Sequence, residues 1–318
     1  MTRKYYLALA MLFGATITTQ LGAVTATRLF DDLGVLGTAA VRLAIAAVII
    51  IAITRPAISA WTKSTWISVT GLGMAMAGMN ASFYAAIDRI PLGIAVATEL
   101  LGPLLLATLL SRKASHFVWT GLAMGGVITL GLADGVAGSL DPIGLAFAAA
   151  SGACWALYIP LLARVGRVDP GVGPLGIAMG AGALVLLPFG AGGIVASLGS
   201  PSLVGWAAAT ALLGALLPYA MELMATRHMP SRVFSVLAAR EPVIAASIGL
   251  VLLGQVLPVT AVIAIGAVVV AAVATALSGR EAAIENAVSA DDDLTPPEPL
   301  GRRKISEDEP APALELAA

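Results

Sequence analysis

The stretch DRIPLGIAVATELLGPLLLATLLSRK, residues 88–113, has a counterpart in TRHMPSRVFSVLAAREPVIAASIGLVLLG, residues 226–254. Both prolines of the first stretch recur in the second after 139 residues, and the inner pair is Pro103 and Pro242. Each stretch is apolar and carries a glutamate near its inner proline, although the two glutamates do not align. A duplicated membrane unit with broken, acid-bearing helices is typical of secondary transporters.

Composition places the chain in a lipid bilayer. Of its 318 residues, 58% are hydrophobic and 12% are charged, which is more apolar surface than a soluble protein of this size can bury. The net charge of -1 argues against a nucleic-acid partner. A single cysteine, Cys154, excludes a disulfide framework. The sequence has no Walker A loop and no His-Glu-x-x-His motif, so we predict neither an enzyme nor a bound metal or cofactor.

Ten apolar tracts are long enough to cross a bilayer, which takes about 20 helical residues. They are residues 5–27, 35–53, 67–87, 92–110, 117–133, 143–163, 171–190, 203–225, 233–254 and 257–278. Basic residues gather in alternate loops, which marks the cytoplasmic side and predicts that both termini are cytoplasmic. These loops carry Arg3, Lys4, Arg55, Lys63, Arg112, Lys113, Arg164, Arg167, Arg227 and Arg232.

The duplication and the count of ten together predict the fold class. Two homologous halves of five spans each must lie in opposite orientations, because five is an odd number. We therefore expect an all-α integral membrane protein with ten transmembrane helices arranged as two inverted five-helix repeats. Residues 1–138 form the first repeat, residues 139–279 form the second, and residues 280–318 form a disordered cytoplasmic tail.

Five charged residues lie inside the predicted spans, where each costs about 2.5–3.5 kcal/mol unless it faces protein or a wet cavity. Arg42 and Glu99 both enter from the outside to a depth of about 10 Å, so they can be neighbours. Arg240 and Glu241 reach a comparable depth from the inside, and Glu222 can meet Arg240. Substrate binding and proton transfer are one reading of these charges. Ion pairs that fix the packing of the helices are the other.

Pro103 and Pro242 each remove a helical hydrogen bond and are predicted to kink their spans. Kinks at matching places would free backbone carbonyls near the midplane for a substrate. Prolines are also common in membrane helices without such a role.

Polar and aromatic side chains supply candidate linings for a cavity between the spans. Asn80 and Tyr84 lie one turn apart, Tyr219 shares a face with Glu222, and Trp155 shares a face with Tyr158. Asn80 can equally form an interhelical hydrogen bond, and the aromatic pair can equally serve packing alone.

Several motifs resemble the EamA branch of the drug/metabolite transporter superfamily, and within it the bacterial exporters of small neutral amino acids such as threonine and homoserine. They are Gly78-Met79-Asn80 followed by Phe83-Tyr84, PLGIAVATELLGPL from Pro91, FVW at 117–119, GACWALYI at 152–159 and LPYAMELMATRHMPSRVFSVLAAREP at 217–242. The resemblance covers nearly all of residues 1–280. It implies an exporter in the bacterial inner membrane, driven by exchange with protons. We expect a monomer or homodimer. Two positions depart from the family: Gln255 replaces an acid, and Arg240 replaces an apolar residue.

The resemblance and the buried charges agree on a mechanism. A zwitterionic amino acid needs one cationic and one anionic partner, which Arg42 with Glu99, or Arg240 with Glu241, can supply. Glu241 and Glu99 are the predicted proton carriers. Three other functions stay open: export of drugs or aromatic compounds, flipping of a lipid-linked sugar, and a non-transporting scaffold. A flippase should have more outward-facing arginines than this chain, and a scaffold leaves five buried charges unexplained.

Overall fold

The computed structural model describes residues 3–111, 114–132, 140–166, 171–197, 199–226 and 239–292, and all regular structure in these ranges is helical. The α-helices are α1 Arg3–Thr27, α2 Phe30–Thr54, α3 Lys63–Ile87, α4 Leu92–Glu99, α5 Leu101–Ser111, α6 Ala114–Leu132, α7 Pro142–Val165, α8 Gly173–Ser197, α9 Pro201–Ala211, α10 Leu217–Thr226, α11 Glu241–Leu253 and α12 Val259–Asp292. A 3-10 turn at Ile58–Ala60 precedes α3, and a π-helical turn at Leu212–Leu216 joins α9 to α10.

Seven helical stretches within the described residues are long and apolar enough to cross a bilayer. They are Tyr6–Thr27, Phe30–Thr54, Leu92–Leu110, Pro142–Leu162, Gly173–Val195, Pro201–Glu222 and Val259–Leu277. Two shorter apolar helices, Ala114–Ile128 and Glu241–Leu253, fall in predicted tracts as well. The prediction of a multi-pass helical membrane protein is therefore confirmed. The count of ten spans stays a prediction, since the tract at 67–87 forms helix α3 without being among the seven.

The outer surface of the helices is apolar. Ile53, Leu110 and Phe189 expose 76%, 77% and 71% of their surface. Large apolar side chains exposed in such number would make a soluble protein aggregate, whereas lipid solvates them.

The helices approach one another at facing glycines. The pairs are Gly22 with Gly214, Gly37 with Gly190, and Gly73 with Gly182. A Cβ atom on Gly22, Gly182 or Gly190 would overlap the backbone of its partner. Small residues permit such close packing in membranes, where no hydrophobic force drives helices together.

The tract at residues 92–110 is interrupted at Leu100, between α4 and α5. Pro103 accounts for the interruption, because its nitrogen cannot donate to the Glu99 carbonyl and its ring clashes with that carbonyl. Pro242 instead lies in the first turn of α11, after a turn at Ala239 and Arg240. Residues 227–238 lie outside the described residues, so a kink at Pro242 is not tested.

Helices α4 and α11 pack against each other in antiparallel directions. Gly93 near the start of α4 faces Ala246 in the middle of α11. The backbone N–H of Leu92 donates to Oε1 of Gln255, just beyond the end of α11, at 3.0 Å. Gln255 therefore caps the first turn of α4, and Glu99 at the other end of α4 comes level with the start of α11.

Residues 1–279 form one compact unit, and residues 280–318 form a second. Helix α12 continues to Asp292. The rest of the predicted tail, residues 293–318, lies outside the described residues.

Candidate functional site

Arg42 lies in the interior of the protein, with only 6% of its surface exposed. Its Nη1 donates to the Tyr84 hydroxyl at 2.7 Å, and its Nη2 donates to the Gly214 carbonyl. The guanidinium carbon also lies 5.4 Å from the centroid of the Tyr84 ring. Within the described residues Arg42 forms no direct ion pair, although it interacts electrostatically with Glu99.

The carbonyl that holds Arg42 belongs to the π-helical turn at Leu212–Leu216. The residue four positions after Gly214 is Pro218, which has no N–H to donate to the Gly214 carbonyl in the α-helical pattern. A carbonyl oxygen accepts up to two hydrogen bonds, and Arg42 donates one to this carbonyl. A Cβ atom at Gly214 would lie 3.3 Å from both Nε and the guanidinium carbon of Arg42, so glycine leaves the arginine room. Single π-helical turns of this kind occur frequently at functional sites.

Glu99 ends α4 at the interruption and is partly buried. Its Oε1 lies 2.5 Å from the hydroxyl oxygen of Ser151 on α7. The same hydroxyl oxygen lies 2.9 Å from the carbonyl oxygen of Met79 on α3, and Ser151 has no exposed surface. Glu99 is therefore attached to two further helices through one serine.

Two more acids lie close enough to form one electrostatic cluster with Glu99. Glu241 at the start of α11 interacts electrostatically with both Glu99 and Glu222 of α10. All three carboxyl side chains are partly buried. Three helices thus bring carboxyl groups into the same interior region, where like charges repel and proton binding relieves the repulsion.

Arg240 joins this region to α1. Its Nη2 donates to the hydroxyl oxygen of Thr16 at 3.0 Å, and its guanidinium carbon lies 4.3 Å from the centroid of the Phe13 ring. It interacts electrostatically with Glu241 and Glu222. Among the described residues, however, Arg240 and Glu222 form no direct ion pair, whereas Arg240 donates to Thr16.

The predicted amide and aromatic lining lies beside the acids. Asn80 is buried, donates to the Met76 carbonyl at 2.7 Å and interacts electrostatically with Tyr219. The rings of Tyr219 and Tyr158 have centroids 6.1 Å apart. Trp155 is partly buried and packs against both large clusters of the apolar core. The predicted residues thus gather on α2, α3, α4, α7, α10 and α11.

The sequence interpretation missed three residues of this region: Thr16, Ser151 and Gly214. Pro218 is a sequence signal for the Gly214 carbonyl, because a proline four residues later cannot be its α-helical donor. The run TITTQ, which ends at Gln20, is the signal for a polar face on α1. Gln20 is 2% exposed, and its Oε1 has no hydrogen-bond partner among the described residues. Neither do the described residues contain a His, Cys, Asp or Glu cluster that fits a metal ion.

Comparison with known proteins identifies relatives over most of the chain. The EamA-like transporter family matches residues 142–277. The threonine/homoserine exporter RhtA of Escherichia coli K12 is 36% identical over 279 residues, which covers 87% of this chain and 93% of the relative. RhtA of Salmonella typhimurium LT2 is 35% identical over 283 residues, covering 88% and 95%. One crystal structure has a similar fold, with a TM-score of 0.54 and 18% identity, covering 86% of this chain and 98% of that chain.

Proposed function

Since the chain belongs to the EamA-like transporter family, we propose that it is a secondary exporter of small neutral amino acids of the threonine and homoserine kind. Export takes place across the bacterial inner membrane, in exchange for protons. The observation that carries this proposal is one interior region in which a buried arginine, without a direct ion pair among the described residues, lies near a group of carboxyl side chains.

Arg42 is the proposed partner of the substrate carboxylate. A guanidinium has five N–H donors, and the hydrogen bonds to Tyr84 and Gly214 use one on each terminal nitrogen. Its Nε has no hydrogen-bond partner among the described residues. A buried cation without a counter-ion is costly, so an arriving carboxylate is bound strongly.

The substrate ammonium group is proposed to bind near Glu99, which interacts electrostatically with Arg42 across the same region. Asn80, Tyr84, Tyr158 and Tyr219 supply the polar and aromatic walls. Trp155 completes the apolar part of the wall.

Protons are proposed to enter and leave through Glu241 and Glu99. The two carboxyl groups interact electrostatically with each other, and neither forms a direct salt bridge with a basic side chain among the described residues. A proton bound by either acid removes repulsion, and a bound ammonium group does the same. Proton and substrate therefore compete for this region, which is the condition for exchange.

The proposed architecture is two inverted five-helix repeats, residues 1–138 and 139–279, with both termini in the cytoplasm. The antiparallel contact of α4 and α11 supports it, because the two helices belong to the equivalent spans of the two halves, residues 92–110 and 233–254. In addition, Pro103 and Pro242 lie near the level at which Glu99 and Glu241 meet. Rocking of one half against the other would expose this level alternately to the two sides.

A competition panel in proteoliposomes that bear a pH gradient tests the substrate. We expect unlabelled threonine and homoserine to reduce the transport of labelled threonine, and dicarboxylic acids and cationic amines to leave it unchanged. Competition by aromatic amines alone would instead favour the drug or aromatic exporter, which the paired rings of Tyr158 and Tyr219 would serve. A lack of threonine transport in protein that is folded and inserted would reject the proposed function.

A further inference from the structure

The hydroxyl of Ser151 has two acceptors but only one proton. Its oxygen lies 2.5 Å from Oε1 of Glu99 and 2.9 Å from the carbonyl oxygen of Met79. A serine hydroxyl donates one hydrogen bond and accepts up to two, whereas a backbone carbonyl only accepts. Which oxygen receives the serine proton therefore depends on whether Glu99 carries a proton of its own.

Two arrangements satisfy these three oxygen atoms. When Glu99 is ionised, Ser151 donates to the carboxylate, and the Met79 carbonyl receives nothing from it. When Glu99 is protonated, the carboxylic acid donates to Ser151, and Ser151 turns its own proton to the Met79 carbonyl. No covalent bond other than the O–H bond of Glu99 forms or breaks between the two arrangements.

The surrounding packing makes this hydroxyl a sensitive contact. Gly152, the next residue on α7, fits against the backbone of Glu99 and Gly102 at the interruption between α4 and α5. Asn80, the residue after Met79, donates a hydrogen bond to the carbonyl of Met76, one turn earlier on α3, at 2.7 Å. On the same crossing, a Cβ atom at Gly78 would lie 2.8 Å from the sulfur of Cys154. Ser151 thus sits where α3, α4 and α7 meet.

We propose that Ser151 is a positioning residue that passes the protonation state of Glu99 to helix α3, through its alternating hydrogen bonds with Glu99 and Met79. This inference rests on the proposed function, in which Glu99 binds protons during exchange. The other titratable or charged groups that face Glu99 come from α2, α7, α10 and α11. They are Arg42, Cys154, Tyr219 and Glu241.

Ser151→Ala tests the proposal through the pH profile of threonine exchange in proteoliposomes. The hydrogen bond to the ionised carboxylate is the stronger of the two, so its loss disfavours ionised Glu99. We expect the pH midpoint of exchange to rise by about 0.5–1 unit. Thr98→Val is the matched control, because Thr98 is equally buried and adjacent to Glu99 but donates to the Ile94 carbonyl at 2.8 Å. Its midpoint should equal that of the wild type.

The role of Ser151 would be overturned if the pH midpoint of exchange in Ser151→Ala equalled or fell below that of the wild type. It would also be overturned if Thr98→Val raised the midpoint by the same amount as Ser151→Ala. Ser151→Cys, with a weaker donor of similar size, decides the same question if the alanine variant does not fold, and its rise should be smaller. Glu99→Gln distinguishes a failure of the Ser151 proposal from a failure of proton binding by Glu99. Its exchange should lose this pH dependence, and exchange that keeps it would reject proton binding by Glu99 itself, whatever Ser151 does.

Discussion

At the scale of single residues, two prolines remove the α-helical donor of an interior carbonyl group. Pro218 cannot donate to the Gly214 carbonyl, which accepts from Arg42, and Pro103 cannot donate to the Glu99 carbonyl at the interruption between α4 and α5. In both cases the proline lies four residues after the carbonyl. A proline inside a membrane helix therefore predicts which carbonyl lacks its α-helical donor, in addition to a bend in the helix.

Arg42→Lys should raise the KM for threonine about tenfold, with a smaller change in the maximal rate. Lysine keeps the charge but cannot hold Tyr84, Gly214 and a carboxylate with one rigid fork. Initial rates in proteoliposomes measure the effect. Tyr84→Phe is the control, because it removes only the 2.7 Å hydrogen bond and should raise KM less. A wild-type KM in Arg42→Lys would exclude Arg42 as the carboxylate partner.

Asp141 allows a check on the source of pH dependence. The hydrogen bond from Arg89, followed by that from the Ile143 N–H, holds the pKa of Asp141 below its ordinary value. A lowered pKa means that the contact stabilises the protein above the usual carboxyl range, near 3.9, and is lost only as the pH falls through the lowered value. Asp141→Asn, which keeps a capping oxygen for α7, should therefore leave the transport profile between about pH 5 and 8 unchanged. A shifted profile would contradict this assignment.

The chemical roles of residues could be predicted from the sequence only for residue types that are rare in apolar tracts. A charged side chain in an apolar tract is conspicuous, so Arg42, Glu99 and Glu241 stand out in the sequence. Ser151 does not, because a serine in an apolar helix usually bonds to its own backbone, as Thr98 does. Only its neighbours across the helix crossing distinguish the two cases.

At the scale of helices, the apolar tracts predicted where the helices lie. They predicted only some of the places where a helix is interrupted. The tract at 92–110 corresponds to α4 and α5, and Pro103 predicted its bend. The π-helical turn inside the tract at 203–225 was not predicted, since hydropathy is the same for α- and π-helical backbone. The capping of α4 by Gln255 also escaped prediction, because it depends on a residue 163 positions away.

Gly102→Ala should destabilise the protein by about 1–3 kcal/mol, because the new methyl group would overlap the Gly152 carbonyl on α7. Thermal unfolding in detergent and the yield of monodisperse protein measure this loss. Gly121→Ala is the matched control, since an added Cβ atom there meets nothing within 4 Å. The crossing would be looser than described if Gly102→Ala unfolded at the wild-type temperature.

At the scale of the whole molecule, two halves in opposite orientations require a definite topology. Loops rich in arginine and lysine predict that both termini and the segment near Lys113 are cytoplasmic. Reporter fusions after Lys113 and after Arg280 should both report the cytoplasm. A periplasmic signal from either fusion would contradict the ten-span arrangement and the equivalence of the spans at residues 92–110 and 233–254.

The central claim, exchange of an amino acid for protons through Glu241 and Glu99, is tested most directly by proton flux. Proteoliposomes that contain a pH-sensitive dye are loaded with threonine and diluted into threonine-free buffer of equal pH. We predict that outward threonine flow drives protons inward with wild-type protein and with Asp141→Asn, and that Glu241→Gln abolishes this signal while threonine counterflow persists. Glu99→Gln should abolish the signal or weaken threonine binding. Threonine efflux without proton movement in the wild type, or undiminished proton movement in both glutamate variants, would contradict the account.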